Sequence, residues 1–161
     1  MRRLSAILPG MLLVATSCGG SSIGGATDPT TSALLNGTFG AAINGAAWSA
    51  AGRVAVTRSV SNSLIIVGAS LTYSLSFTLF NAAGPGTYSL VYTTTTLPSF
   101  AILASAGAAW TTSTTGGTGT VVLTTLTSSR VAGTFTFDAP PSPGQGTTTA
   151  HVTGGAFDVT Y

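Results

Sequence analysis

Few side chains in this sequence can act as acid, base or ligand. They are Asp28, Asp138 and Asp158, a single imidazole (His151), a single thiol (Cys18) and four tyrosines, with no Lys and no Glu. A general base at His151 would need a nucleophile in a strained turn and a carboxylate to orient it. No Ser here has distinctive flanking residues, so His151, alternating with Ala150 and Val152, reads as a surface or edge-strand histidine. Asp138 and Asp158 alternate with Phe137, Phe157 and Val159, which places both on the face opposite the core. Paired carboxylates can hydrolyse glycosides, but the acid of such a pair needs burial to keep its proton, which a solvent-facing strand position does not give. Calcium draws several carboxylates from one tight loop, and no such loop is present. Gly116-Gly117-Thr118-Gly119 and Gly144-Gln145-Gly146 read as turns, since neither opens a helix and no Lys follows. Trp48 and Trp110 have the rings to stack on sugars, although a Trp in a β domain is more often core. Asn36-Gly37-Thr38 matches the glycosylation acceptor pattern, which is a coincidence if the protein is bacterial. The expectation is therefore no catalytic residue, no cofactor and no metal site.

Charge narrows the field further. Only 5% of residues are charged, against roughly 25% in an average soluble protein. The formal charge of +2 comes from Arg2 and Arg3, because Arg53, Arg58 and Arg130 balance the three Asp. Three scattered arginines cannot neutralise a phosphate backbone, so nucleic acid is not an expected partner.

The first residues carry a different signal. Met1-Arg2-Arg3 is a short positive segment, and Leu4 to Val14 is an apolar stretch of signal-peptide length, too short to span a membrane. Ala15-Thr16-Ser17 then leads directly into Cys18. An apolar run closing on small residues before the only Cys resembles the lipobox of bacterial lipoproteins. The resemblance implies diacylglyceryl attachment to Cys18, cleavage after Ser17 and acylation of the new N-terminus. Ala15 stands where that family most often has Leu, with Val14 one step earlier. An ordinary secretory signal with an A-x-A-like site is the plainer alternative, but it leaves a lone exported thiol unexplained. Two or three acyl chains, at about 0.8 kcal/mol per buried methylene, are enough for stable anchoring. Gly19 to Ser32 is Gly, Ser, Thr and Ala with one Asp28-Pro29 step and one large apolar side chain, Ile23, so it reads as a flexible tether. Gly19 directly after the Cys, with no Asp there, is similar to lipoproteins sorted to the outer membrane of Gram-negative bacteria.

From Ala33 onward no helical period persists, and Thr, Ser, Val, Phe and Tyr runs are broken by turn residues every 8 to 12 positions. Phe39, Ala41 and Ile43 alternate into Asn44-Gly45, a strong hairpin signal, with Trp48 on the return strand. Val54, Val56 and Val60 share a parity, Leu64 to Val67 reads as a strand buried on both faces, and Tyr73, Leu75, Phe77 and Leu79 form a half-buried strand. Asn81 to Gly86 is expected to turn that strand into Tyr88, Leu90 and Tyr92. Thr93 to Thr96 make a connection or an edge, and Asp138 to Gly146 a Pro-Gly loop. Phe100 to Leu103, Trp110, Val121 to Leu126, Val131 to Phe137 and Phe157 to Tyr161 supply the remaining strands. The prediction is an all-β fold, an antiparallel β-sandwich or small barrel of about nine to eleven short strands. Its organisation is a signal peptide over 1–17, a tether over 18–32 and a β-sandwich domain over 33–161.

Ile43-Asn44-Gly45 with Trp48, Gly84-Pro85-Gly86-Thr87-Tyr88, Gly133-Thr134-Phe135-Thr136-Phe137 and Gly154-Gly155-Ala156-Phe157 occur in that order. Together they resemble a group of small bacterial lipoproteins with one β-rich domain of unknown function. The resemblance implies a fold and a location, and no activity. The expected function is a lipid-anchored, non-catalytic binding or structural module of the cell envelope. Its partners are the membrane, through Cys18, and then another copy of itself, an envelope protein or a glycan. An outer-membrane β-barrel, suggested by Phe157, Val159 and terminal Tyr161, and an envelope hydrolase are the alternatives. Near-zero charge and edges without Lys would favour self-association along Thr93 to Thr96.

Overall fold

The computed structural model describes residues 37–51, 53–94 and 98–161. Cys18, the signal segment and the tether lie outside the described residues, as do Asn36, Thr95 and Thr96.

Among the described residues every regular element is a strand. They are β1 (Gly37–Ile43), β2 (Ala46–Ser49), β3 (Arg53–Arg58), β4 (Leu64–Ala69), β5 (Ser74–Leu79), β6 (Gly86–Ser89), β7 (Phe100–Ser105), β8 (Ala108–Thr111), β9 (Thr118–Leu126), β10 (Arg130–Ala139) and β11 (Ala150–Thr160). They form a six-stranded sheet in the order β2-β1-β11-β10-β9-β6 and a five-stranded sheet in the order β3-β4-β5-β7-β8. All pairings are antiparallel, and the sheets stack without closing into a barrel. The fold is an all-β sandwich. Among the described residues no helix is long and apolar enough to cross a membrane.

Side-chain alternation produces the core. Leu75, Phe77 and Leu79 on β5 are fully buried, while Ser74, Ser76 and Thr78 face outward. Phe39, Phe77, Phe135, Phe137 and Phe157 converge from both sheets, with Phe77 and Phe135 edge to face at a ring separation of 4.7 Å. Aromatic pairs favour this offset geometry, which adds to their area burial. Asn44 and Gly45, at φ 49° and 82°, turn β1 into β2 as the hairpin signal predicts. Positive φ at both central positions matches the twist of the flanking strands.

The two sheets cross. At its start β3 lies over β1, because Val54 pairs with Gly68 and a side chain on Gly68 would collide with the Phe39 ring. At its end Arg58 Nη1 donates to Thr127 O (3.5 Å) in the β9–β10 turn. Strand β3 therefore runs across the ends of the six-stranded sheet rather than along its strands, as in orthogonal packing. At the opposite end, β8 is held by the chain leaving β10. Thr111 N donates to Pro140 O (3.0 Å) and Ser142 N to Ala109 O (2.8 Å).

Several expectations are corrected. Val60 is not on the strand of Val54 and Val56. It sits at an exposed turn closed by Ser59 N donating to Ser63 O (2.9 Å). Leu64 to Val67 is buried on one face only: Leu64 and Ile66 point inward and Ile65 is exposed, since only one layer covers this sheet. Asn81 to Gly86 does not make a hairpin. It carries the chain to the other sheet, where β6 pairs with β9. Leu90 is buried beyond the end of that strand, and Tyr92 is exposed. Asp138 and Ala139 belong to β10 rather than to the Pro-Gly loop. Thr93 and Thr94 lie in no strand.

Candidate functional site

Among the described residues, the imidazole of His151 and both aspartates, Asp138 and Asp158, gather on the outer face of the six-stranded sheet, carried by the long hairpin β10–β11. Outward positions on β10 are Arg130, Thr134, Thr136 and Asp138, and on β11 they include His151, Ala156, Asp158 and Thr160. Bulges interrupt the register between Phe135 and Phe137 and between Ala132 and Gly133. Threonine hydroxyls serve the carbonyls beside them: Thr136 Oγ1 donates to Val152 O (3.0 Å) and Thr124 Oγ1 to Ala132 O (3.2 Å). A shallow depression of about 300 Å³ lies at the centre, where Gly154 and Ala156 leave space beside Thr120, Val122, Thr134 and Thr136.

At one end of this face, Asp138 and His151 are direct cross-strand partners, and Nδ1 meets Asp138 Oδ1 at 2.7 Å. Asn44 completes the local frame, accepting at Oδ1 from His151 N (2.8 Å) and donating from its own N to His151 O (2.8 Å). His151 is thus a surface residue, but on a central strand rather than an edge. An imidazole oriented by a carboxylate has two of the three parts of a hydrolytic triad. The row across the sheet runs Thr118, Asp138, His151, so the carboxylate, not the imidazole, stands beside the threonine. A nucleophile–base–orienter relay requires the imidazole between the other two. This order does not supply it.

At the other end, Arg130 Nε and Nη2 donate to the two oxygens of Asp158 at 2.8 and 2.6 Å. These residues are diagonal neighbours: Arg130 faces Thr160, and Asp158 faces Ala132. The hydrogen bond from Arg130 holds the Asp158 carboxyl below its ordinary range, and Asp158 raises the already high value of Arg130. The side chains are 52% and 47% exposed, so solvent screens the pair. An open groove of about 480 Å³ passes over it, lined also by Gly37, Thr38 and Thr160.

Asp138 and Asp158 are both on the outer face, as alternation required, and each is paired with a different side chain, His151 and Arg130, rather than with the other. Trp48 is 8% exposed, its Nε1 donating to Ser70 Oγ (2.9 Å), so it is a core residue. Trp110 is partly buried and donates to Thr148 O (2.9 Å). Gly116, Gly144 and Gly146 have positive φ, in keeping with turns. Among the described residues no three His, Cys, Asp or Glu side chains cluster as metal ligands.

Residues 36–159 match the model of a domain of unknown function, DUF6252. The chain belongs to this family. The DUF6252 match takes in all eleven strands, short of the last residue of β11, so both aspartate pairs and the threonine face lie within it. No curated protein and no solved structure matches the chain.

Proposed function

We propose that this DUF6252 protein is a lipid-anchored component of the cell envelope, acylated at Cys18, whose sandwich acts as a non-catalytic binding or structural module. The observation that carries this reading is the placement of the only Cys. It follows an apolar stretch and Ala15-Thr16-Ser17, and a segment mostly of Gly, Ser, Thr and Ala separates it from the family domain. Lipidation consumes a thiol that would otherwise be exposed to oxidation. Gly19 beside it favours an outer-membrane destination. The open threonine face supports recognition of an extended surface, such as an envelope glycan or protein, over enclosure of a small molecule, which calls for a concave pocket. A membrane-spanning barrel has no support from two open, stacked sheets, because a strand that crosses lipid needs every backbone group paired in a closed ring. A hydrolase would have to work through His151, with Thr118 on the wrong side of Asp138.

Metabolic labelling with a fatty acid in a bacterial host tests the anchor. The wild-type chain takes the label and sediments with membranes, and Cys18→Ala does neither. Equal labelling and equal membrane partition of the two would overturn the reading.

A further inference from the structure

Resting on the reading of Cys18 as the anchor, the charge layout assigns an orientation to the domain. Strand β1 begins at Gly37, nineteen residues along from Cys18. The groove beside Gly37 is shared with Ala51, just before β3. From there β3 crosses this end of the six-stranded sheet from Arg53 to Arg58, which reaches the β9–β10 turn at Thr127, and Arg130 follows that turn. All three arginines of residues 37–161 are therefore at the end where the chain leads back to Cys18. Among the described residues one side-chain carboxylate, Asp158, accompanies them, while Asp138 sits with His151 at the opposite end. A domain close to neutral is thus polarised, cationic toward its anchor and anionic away from it.

Nineteen residues reach at most about 65 Å when fully extended, which is long enough for either end of a small domain to meet the bilayer. The tether alone does not choose, but the charge does. We propose that the arginine-bearing end, made by edge strand β3 and the β9–β10 turn, docks on the anionic phospholipid headgroups of the membrane that holds Cys18. Arg58 is the strongest contributor, being exposed and, among the described residues, engaged only by the long contact to Thr127 O. Arg130 has Asp158 on two of its donors and adds less. Val60, fully exposed two residues beyond Arg58, gives the same end an apolar tip. Basic groups near an anionic leaflet bind more strongly together than singly, and salt weakens them. The domain would then present Asp138, His151 and the loop at Gln145 outward.

The test uses the full lipidated chain, in which acylation leaves an introduced Cys as the only thiol. Thr57→Cys on β3 and Gln145→Cys at the far loop, both exposed positions, are labelled with a polarity-sensitive fluorophore. Each protein is reconstituted into vesicles of phosphatidylethanolamine and phosphatidylglycerol containing a headgroup-labelled quencher lipid. The expected result is roughly threefold stronger quenching at position 57 than at 145, abolished in phosphatidylcholine vesicles, in high salt, or by Arg53→Gln with Arg58→Gln. Circular dichroism of the variants establishes that they are folded. Equal quenching at the two positions in chains that float with the vesicles overturns the docking and leaves the anchor standing. Chains that do not float overturn the anchor and the docking with it. Energy transfer between labels at position 57 that rises with protein-to-lipid ratio would show a second copy on this face, and would also overturn the proposal.

Discussion

At the scale of single residues, the core aromatics carry the stability and the surface Arg130–Asp158 pair very little. Phe77 is fully buried and in ring contact with Phe39, Phe135, Phe137 and Phe157. Phe77→Ala should lower unfolding free energy by about 3 to 5 kcal/mol, through lost burial and the cavity left behind. Chemical denaturation gives the value, and a loss below about 1 kcal/mol would mean that the site collapses around the gap. Asp158 behaves differently. Its carboxyl is held low by Arg130, so the stabilisation is present above the ordinary carboxylate range and is lost as pH falls through the lowered value. Thermal melts across acid pH should show wild type slightly above Asp158→Asn near neutrality, with the difference closing as Asp158 protonates. A difference that widens in acid would contradict the pairing. Both Asp158 and Asp138 were legible as outward-facing, but their partners were not. A signal for Asp138 and His151 did exist, because counting outward from the Pro-Gly loop in an antiparallel hairpin puts these two opposite each other. The Arg130–Asp158 diagonal lies beyond a bulge at Phe135 to Phe137, which shifts any such count.

At the scale of elements, short edges and side-chain braces do what long strands would not. Edge strands β2, β6 and β8 have four residues each, and β3 has Arg at both ends. Short and charged edges resist strand addition, the role that Lys often fills. Thr93 and Thr94 lie outside these edges, in no strand. The start of β7 depends on Thr112, fully buried, whose Oγ1 accepts from Ala101 N (2.9 Å) while its own N donates to Ala101 O (3.1 Å). Thr112→Val keeps the shape and removes the acceptor. It should cost about 1 to 3 kcal/mol, the penalty for an unpaired buried N–H. Hydrogen exchange at the Ala101 amide, faster in the variant, localises the effect, and unchanged exchange there would refute the brace.

At the scale of the whole molecule, closure depends on contacts distant in sequence. Gly37 pairs with Val159, and β11 sits between β1 and β10 at the middle of its sheet. The six-stranded sheet is thus incomplete until both ends of the domain meet. Non-local pairing of this kind requires large loop closures before any contact rewards them. Refolding should accordingly take about milliseconds to seconds rather than microseconds. Stopped-flow fluorescence of Trp48, buried at the β1–β2 hairpin against Phe39, reports it. Complete signal recovery within the dead time would rule out β1–β11 pairing as the limiting step.

Alternation along β5, β10 and β11 and the Asn44-Gly45 turn specified the class of fold, because each is a property of neighbouring residues. The same local reading placed Trp48 in the core and kept both acidic residues off it. Tertiary structure alone decided which strands share a sheet. Asn81 to Gly86 sends the chain across to the other sheet, and Val60 ends in a turn, since neither outcome is encoded in a window of a few residues. It also decided that three arginines scattered through the sequence share one end of the domain. The reason is physical: two crossed sheets bring a strand edge and a distant turn together, a juxtaposition set by packing rather than by spacing along the chain.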